Sequence, residues 1–124
     1  MSERKILIID DEIEIRSFMQ TFFEDRGFEV DVAGDGLEGV EKFQKGNYDL
    51  VLCDMMMPKM IGLEVLRRIR QSKPEQPVIM LTGVQEQSMV AKAKELGCKH
   101  YLNKPFSLTD VAAKVEECFP SSSS

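Results

Sequence analysis

The chain has no tryptophan, a single histidine at position 100, and three cysteines, Cys53, Cys98 and Cys118, in 124 residues. An odd number of widely separated cysteines in no metal-ligand spacing excludes a disulfide scaffold and a zinc site, and reads as reduced thiols in a reducing compartment. No apolar run approaches the length that spans a bilayer. Met1-Ser2-Glu3-Arg4-Lys5 leads straight into an apolar segment without a signal-sequence pattern, so the cytoplasm is the expected location. Basic charge is also in short supply, with 16 Lys and Arg against 21 Asp and Glu and a net charge of -5. That balance argues against direct nucleic-acid binding, because phosphate backbones reward clustered cations. Arg67, Arg68 and Arg70 form one short basic run, read as a solvated helix face beside Val65, Leu66 and Ile69. One histidine without further apparatus does not make a phosphohistidine enzyme, and His100 reads as an exposed strand-start residue.

What is present alternates. Apolar segments of strand length follow amphipathic segments of helix length throughout, which predicts βαβ crossovers, a parallel sheet and helices on both faces, in one domain. Lys5 to Ile9 is the first strand, and Glu12 to Asp25 carries Ile15, Phe18, Met19 and Phe22 at helical spacing until Gly27 stops it. Phe28 to Ala33 alternates like a half-exposed edge strand, and Leu37, Val40 and Phe43 mark a second helix closed by Gly46-Asn47. Tyr48 to Cys53 is the third strand, Gly62 to Gln71 the third helix, Val78 to Leu81 the fourth strand and Gln85 to Leu96 a fourth helix ending at Gly97. His100 to Leu102 forms a short fifth strand. Leu108 to Phe119 is the last helix, capped by Ser107 and ended by Pro120, and Ser121 to Ser124 reads as a flexible tail or the start of a linker.

The strand ends carry the chemistry. Asp10-Asp11, Asp54, Thr82 and Lys104 each follow an apolar strand, where open α/β sheets place their ligands. A carboxylate can be a nucleophile and hold a phosphoryl group. Clustered acids repel that anion by about 4 kcal/mol per pair at ~4 Å and an effective dielectric near ~20. A hard divalent cation reverses the sign, and Mg²⁺, which prefers oxygen ligands, suits Asp10, Asp11 and Asp54 with one backbone carbonyl. Lys104 supplies a fixed positive charge, Thr82 a hydroxyl donor, and Gly83 room for backbone to approach phosphate. Only X-Pro bonds make a cis peptide accessible, which singles out Lys104-Pro105. The methionines Met55, Met56, Met57 and Met60 read as packing rather than a soft-metal site.

This arrangement resembles the receiver domain of two-component response regulators from about Lys5 to Phe119. The resemblance rests on Asp10-Asp11, on Asp54 followed by Met57-Pro58 and Gly62, on Thr82-Gly83, and on Tyr101-Leu102-Asn103-Lys104-Pro105-Phe106. It implies a flavodoxin-like doubly wound α/β sheet of strand order 2-1-3-4-5, with a receiver over residues 1–120 and the serine tail over 121–124. It further implies that Asp54 is the phosphoacceptor, that Asp10, Asp11, Asp54 and the Met56 carbonyl hold Mg²⁺, and that Lys104 pairs with the phosphoryl group. Thr82 and Tyr101 would be the switch residues, repacking the face built from the fourth helix, fifth strand and fifth helix. The sequence departs from the commonest family pattern at Ile61 and at Cys98-Lys99-His100, neither of which touches the expected chemistry. Met56 and Val84 stand where the family tunes phosphoryl lifetime.

The expected role is a phosphorylation-dependent signalling switch rather than an enzyme. Its donor would be a sensor histidine kinase or histidine phosphotransfer protein, and its target a downstream output protein. No membrane contact is expected, and the chain would be a monomer or a phosphorylation-dependent dimer. The alternative is the isolated receiver half of a longer DNA-binding regulator. A dehalogenase-type phosphatase would want its nucleophile after the first strand and a second Asp two positions on, where this chain has Glu12, and a cap domain, which it lacks. A flavin carrier would want a hydroxyl-rich loop in place of Asp10-Asp11-Glu12.

Overall fold

A computed structural model describes residues 4–119. Pro120 and the serine tail at Ser121 to Ser124 lie outside the described residues. Five strands, β1 (Lys5–Ile9), β2 (Glu29–Ala33), β3 (Leu50–Asp54), β4 (Val78–Thr82) and β5 (His100–Asn103), pair in parallel in the order β2-β1-β3-β4-β5. Helices α1 (Ile13–Asp25), α2 (Gly36–Lys45), α3 (Gly62–Ser72), α4 (Gln87–Glu95) and α5 (Leu108–Cys118) alternate with them, and a 3-10 turn at Val84–Glu86 leads into α4. This is the flavodoxin-like doubly wound sheet the alternation predicts.

Strand periodicity of two divides the core into two layers. Leu7, Ile9, Val51, Cys53, Val78 and Met80 pack with Val40, Phe43, Val65, Leu66, Ile69 and Ala93 under α2, α3 and α4. Ile6, Ile8, Leu50, Leu52, Ile79 and Leu81 pack with Met19, Phe22, Phe23 and Val111 under α1 and α5. Both faces of β3 and β4 are therefore covered, which is why these strands read as unbroken apolar runs rather than alternating ones. Edge strand β2 is half-exposed, as expected, but its burial rises along the strand from Glu29 to Ala33 instead of alternating, because one of its edges has no neighbouring strand.

Local signals fix where each element stops. Asp35 Oδ1 accepts from the Glu38 amide at 2.8 Å to start α2, and Ser107 and Asp110 exchange side-chain to backbone bonds at 3.1 and 2.9 Å to start α5. Gly27 and Gly97, at φ +88° and +84°, close α1 and α4 in the left-handed region. Gly62 answers to crowding instead: a Cβ there would collide with the Asp54 carbonyl, and its amide donates to the Met55 carbonyl at 2.7 Å. That contact seats the start of α3 against the end of β3.

Several sequence expectations shift. Tyr48 and Asp49 precede β3, and the Tyr48 hydroxyl donates to Asp31 Oδ2 at 2.7 Å. The inward stripe of α1 is Met19, Phe22 and Phe23, whereas Phe18 is 43% exposed, because α1 is rotated toward Phe23 relative to the expected phase. Leu37 is likewise exposed. Arg67 and Arg68 pair with Glu64 on the surface, but Arg70 is not simply solvated: its guanidinium donates to the Leu96 and Gln76 carbonyls at 2.7 and 2.8 Å. His100 is half-buried, with Nδ1 3.3 Å from Glu117 Oε1. Among the described residues no helix is long and apolar enough to cross a membrane.

Phe23→Ala removes a fully buried ring and should cost about 3–5 kcal/mol in urea unfolding, whereas Phe18→Ala should cost about 1 kcal/mol or less. Equal losses would place Phe18 inside the core after all.

Candidate functional site

The strand register brings one rim of the sheet into alignment. Ile9 pairs with Cys53, Asp54 with Leu81, and Thr82 with Asn103, so the carboxyl ends of β1, β3, β4 and β5 lie side by side. Chain direction reverses its lateral progress between β1 and β3, and the crevice beyond that point is where this architecture binds ligands. Asp10 and Asp54 flank it.

Asp54 is buried at the end of β3, and Lys104 Nζ donates to its Oδ1 at 2.8 Å. The Lys104 backbone amide is itself fixed to the Thr82 carbonyl at 2.8 Å, and the Lys104-Pro105 peptide is cis. Burial pushes the Asp54 carboxyl above its ordinary pKa, against the opposing pull of the Lys104 hydrogen bond and charge. Burial works against the Lys104 ammonium too, but the Asp54 bond, with the charges of Asp10 and Glu12, raises its pKa on balance.

Asp10 has no exposed surface. Its Oδ1 accepts from the Glu12 amide at 2.9 Å, and its Oδ2 is buried without a hydrogen-bond partner. Burial raises its pKa to about 6, with the Glu12 amide opposing and the Asp54 charge adding to the rise. Carboxylate oxygens of Asp10, Glu12 and Asp54 lie within 4.8 Å of one another. An unsatisfied buried oxygen in an all-oxygen donor set fits a hard cation, since an orphaned buried acceptor otherwise costs free energy. The thioethers contribute nothing to it: Met55 and Met57 are buried in the core and Met60 packs against it, as their expected packing role requires.

Asp11, expected among the ligands, is exposed and stands outside this trio, although its charge raises the Asp54 pKa. A Glu12 carboxylate oxygen joins those of Asp10 and Asp54 in the cluster and lies 3.6 Å from Lys104 Nζ. Sequence reasoning did not single out Glu12, because three acids follow one another at the end of β1 and its approach to the cluster depends on the turn into α1, for which it is the N-cap. Met56, expected to pack with the other methionines, is instead 43% exposed, two residues beyond Asp54 on the loop that leaves β3.

Thr82 is fully buried, and its hydroxyl donates to Asn103 Oδ1 at 3.0 Å. The Gly83 amide donates to Glu86 Oε1 at 2.8 Å. Tyr101 is half-buried against the α2–α4 layer, with its hydroxyl on the Cys98 carbonyl at 2.8 Å, and burial pushes its phenol pKa upward.

A doubly wound sheet whose rim joins clustered acids to a lysine, with a hydroxyl on the next strand, defines the receiver class of signalling switch. Residues 6–116 match the response regulator receiver domain, and the chain belongs to that family. A receiver domain protein from Clostridium thermocellum superposes with a TM-score of 0.88 at 33% identity, covering 97% of each chain. The chemotaxis response regulator CheY4 of Vibrio cholerae superposes with a TM-score of 0.88 at 30% identity, covering 95% of this chain and 100% of that one. The transcriptional regulatory protein ResD of Bacillus subtilis is 40% identical over 115 residues, 93% of this chain and 48% of ResD. The chain spans about half the length of the curated relatives it matches.

An acid whose folded-state pKa of about 6 exceeds its ordinary 3.8 binds more protons folded than unfolded, so its contribution to stability falls as pH rises through that window. Asp10→Asn should therefore raise the unfolding free energy of the metal-free protein at pH 7 by about 1–3 kcal/mol, and the gain should fade by about pH 4. Urea unfolding at pH 4, 5.5 and 7 measures this, and a gain independent of pH would contradict it.

Proposed function

We propose that the chain is a phosphorylation-dependent switch of a two-component or phosphorelay system, with Asp54 as phosphoacceptor. The observation that carries this reading is the pairing of buried Asp54 with Lys104 at 2.8 Å beside the unsatisfied oxygen of Asp10. The Asp54 carboxylate attacks the phosphorus of a phosphohistidine, forming the acyl-phosphate P–O bond as the P–N bond breaks and the imidazole departs with its electron pair. Oδ1 is already held by Lys104, so Oδ2 is the attacking oxygen, and Lys104 then pairs with a phosphoryl oxygen. Asp10 and Asp54 would hold Mg²⁺, with Asp11 and the Met56 carbonyl completing the set and Glu12 close by. Bound there, the ion offsets repulsion between the acids and the phosphoryl oxygens.

The Thr82 hydroxyl and the Gly83 amide donate to the remaining phosphoryl oxygens. Drawing Thr82 toward Asp54 vacates space that the Tyr101 ring fills, and the α4, β5 and α5 face repacks. An output protein reads that face. Water later attacks phosphorus, releasing inorganic phosphate and restoring the carboxylate. The chain's only catalysis is its own phosphorylation and dephosphorylation, in the cytoplasm, as a monomer or a dimer formed on phosphorylation, with a sensor kinase or phosphotransfer protein as donor. Neither membrane nor nucleic acid is a direct partner of this chain.

A second reading, the receiver half of a longer DNA-binding regulator, is favoured by the half-length match to transcriptional regulatory proteins. It changes the output and leaves the phosphoacceptor chemistry as described.

Incubation with Mg²⁺ and acetyl phosphate, followed by intact mass measurement, should show a gain of one phosphoryl group that Asp54→Asn abolishes. Lys104→Ala should leave the output face unresponsive. A gain that survives Asp54→Asn would move the acceptor elsewhere.

A further inference from the structure

The two donors that a phosphoryl group on Asp54 would use are already engaged by side chains of this chain. Thr82 has a single hydroxyl proton, directed to Asn103 Oδ1 at 3.0 Å, and Gly83 a single amide proton, directed to Glu86 Oε1 at 2.8 Å. Both acceptors sit on elements of the output face. Asn103 ends β5 directly opposite Thr82, and strand alternation puts it on the same face as Tyr101. Glu86 closes the 3-10 turn that leads into α4. Its carboxylate also acts electrostatically on Asp54, so an anion arriving there meets like charge.

We propose that Asn103 and Glu86 are positioning residues that hold the Thr82 hydroxyl and the Gly83 amide in the resting arrangement, so that a phosphoryl group gains these donors only by displacing them. The proposal deepens the reading of Asp54 as phosphoacceptor and rests on it. A proton cannot be given fully to two acceptors at once, so the phosphoryl oxygens compete with Oδ1 of Asn103 and Oε1 of Glu86. Each displacement loosens one part of the output face: loss of the Asn103 bond frees the Thr82 hydroxyl, its carbonyl staying on the Lys104 amide, and release of the Glu86 carboxylate leaves the entry to α4 held by the Glu86 amide on the Gly83 carbonyl. Recapture of both donors favours return to rest once phosphate leaves.

The test is a titration of the whole chain with beryllofluoride at fixed excess Mg²⁺, followed by the Gly83 amide signal in nitrogen-proton correlation spectra. Asn103→Leu, at an exposed position, should lower the half-saturating beryllofluoride concentration about fivefold, the shift expected from one neutral hydrogen bond. In a Thr82→Val background the same substitution should change nothing, because no hydroxyl remains to be released. Glu86→Ala should lower the concentration at least as far by freeing the amide and removing the opposing charge. A merely structural role for Asn103 would shift both backgrounds alike, and that result overturns the proposal, as does an unchanged or raised concentration in Asn103→Leu and Glu86→Ala. A wild-type chain that takes up no beryllofluoride and gains no mass from acetyl phosphate fails the phosphoacceptor reading itself. Normal uptake with unmoved variants fails the latch alone.

Discussion

Two carboxylates buried close together, Asp10 and Asp54, with Lys104 bonded to the second, set the terms for the rest of the molecule. Burial disfavours both charges, and each acid disfavours the other. A part-buried ion pair such as Asp54–Lys104 is poor evidence of added stability, since removing the buried carboxylate from water offsets much of the attraction. The pattern is intelligible as a site kept at some cost to the fold. The cost concentrates at Asp10 Oδ2, which no described group satisfies.

The architecture holds that unfavourable rim in place by making everything beneath it rigid. β3 and β4 are buried along their whole length and bracket Asp54 and Thr82 at their tips. The Gly62 contact with the end of β3 fixes the following loop, and the Lys104 amide on the Thr82 carbonyl fixes the end of β5 against β4. Backbone therefore barely needs to adjust at the rim, and the groups left with alternatives are side chains: Lys104 between Asp54 and Glu12, Thr82 on Asn103, and Tyr101 on Cys98. A switch needs such a small set of discrete choices on a stiff frame, because a ligand can bias only states that already differ in what they offer it.

Much of this was legible in the sequence, for physical reasons that also mark its limits. Continuous apolar runs located β3 and β4, and polar residues at their ends stood out because an apolar sheet has no need of them. Asp54, Thr82 and Lys104 could thus be found singly, and the parallel register brought them together. Helix rotation was less visible: α1 has phenylalanines at 18, 22 and 23, and only packing against Ile6, Ile8 and Leu50 selects Phe23 over Phe18. The same limit hid the approach of Glu12 to Asp10 and Asp54, which depends on the turn after β1 rather than on strand periodicity. Arg70 was hidden differently. Its partners are backbone carbonyls, which carry no sequence signature.

Those carbonyls let Arg70 tie α3 to the end of α4. Its guanidinium bonds Leu96 and reaches toward Gly97 at 3.4 Å, so a cation lies at the C-terminal end of α4, where the helix dipole favours it. The next residue, Cys98, offers the carbonyl that receives the Tyr101 hydroxyl. Arg70 thus pins the far end of α4 to α3 while the Glu86 turn holds the near end by a single side-chain bond to Gly83. Glu86 is also bonded through its backbone, its amide donating to the Gly83 carbonyl at 3.1 Å. The two ends of α4 are thus held differently: the C-terminal end by a cation reaching across from α3, the N-terminal end by bonds within its own turn.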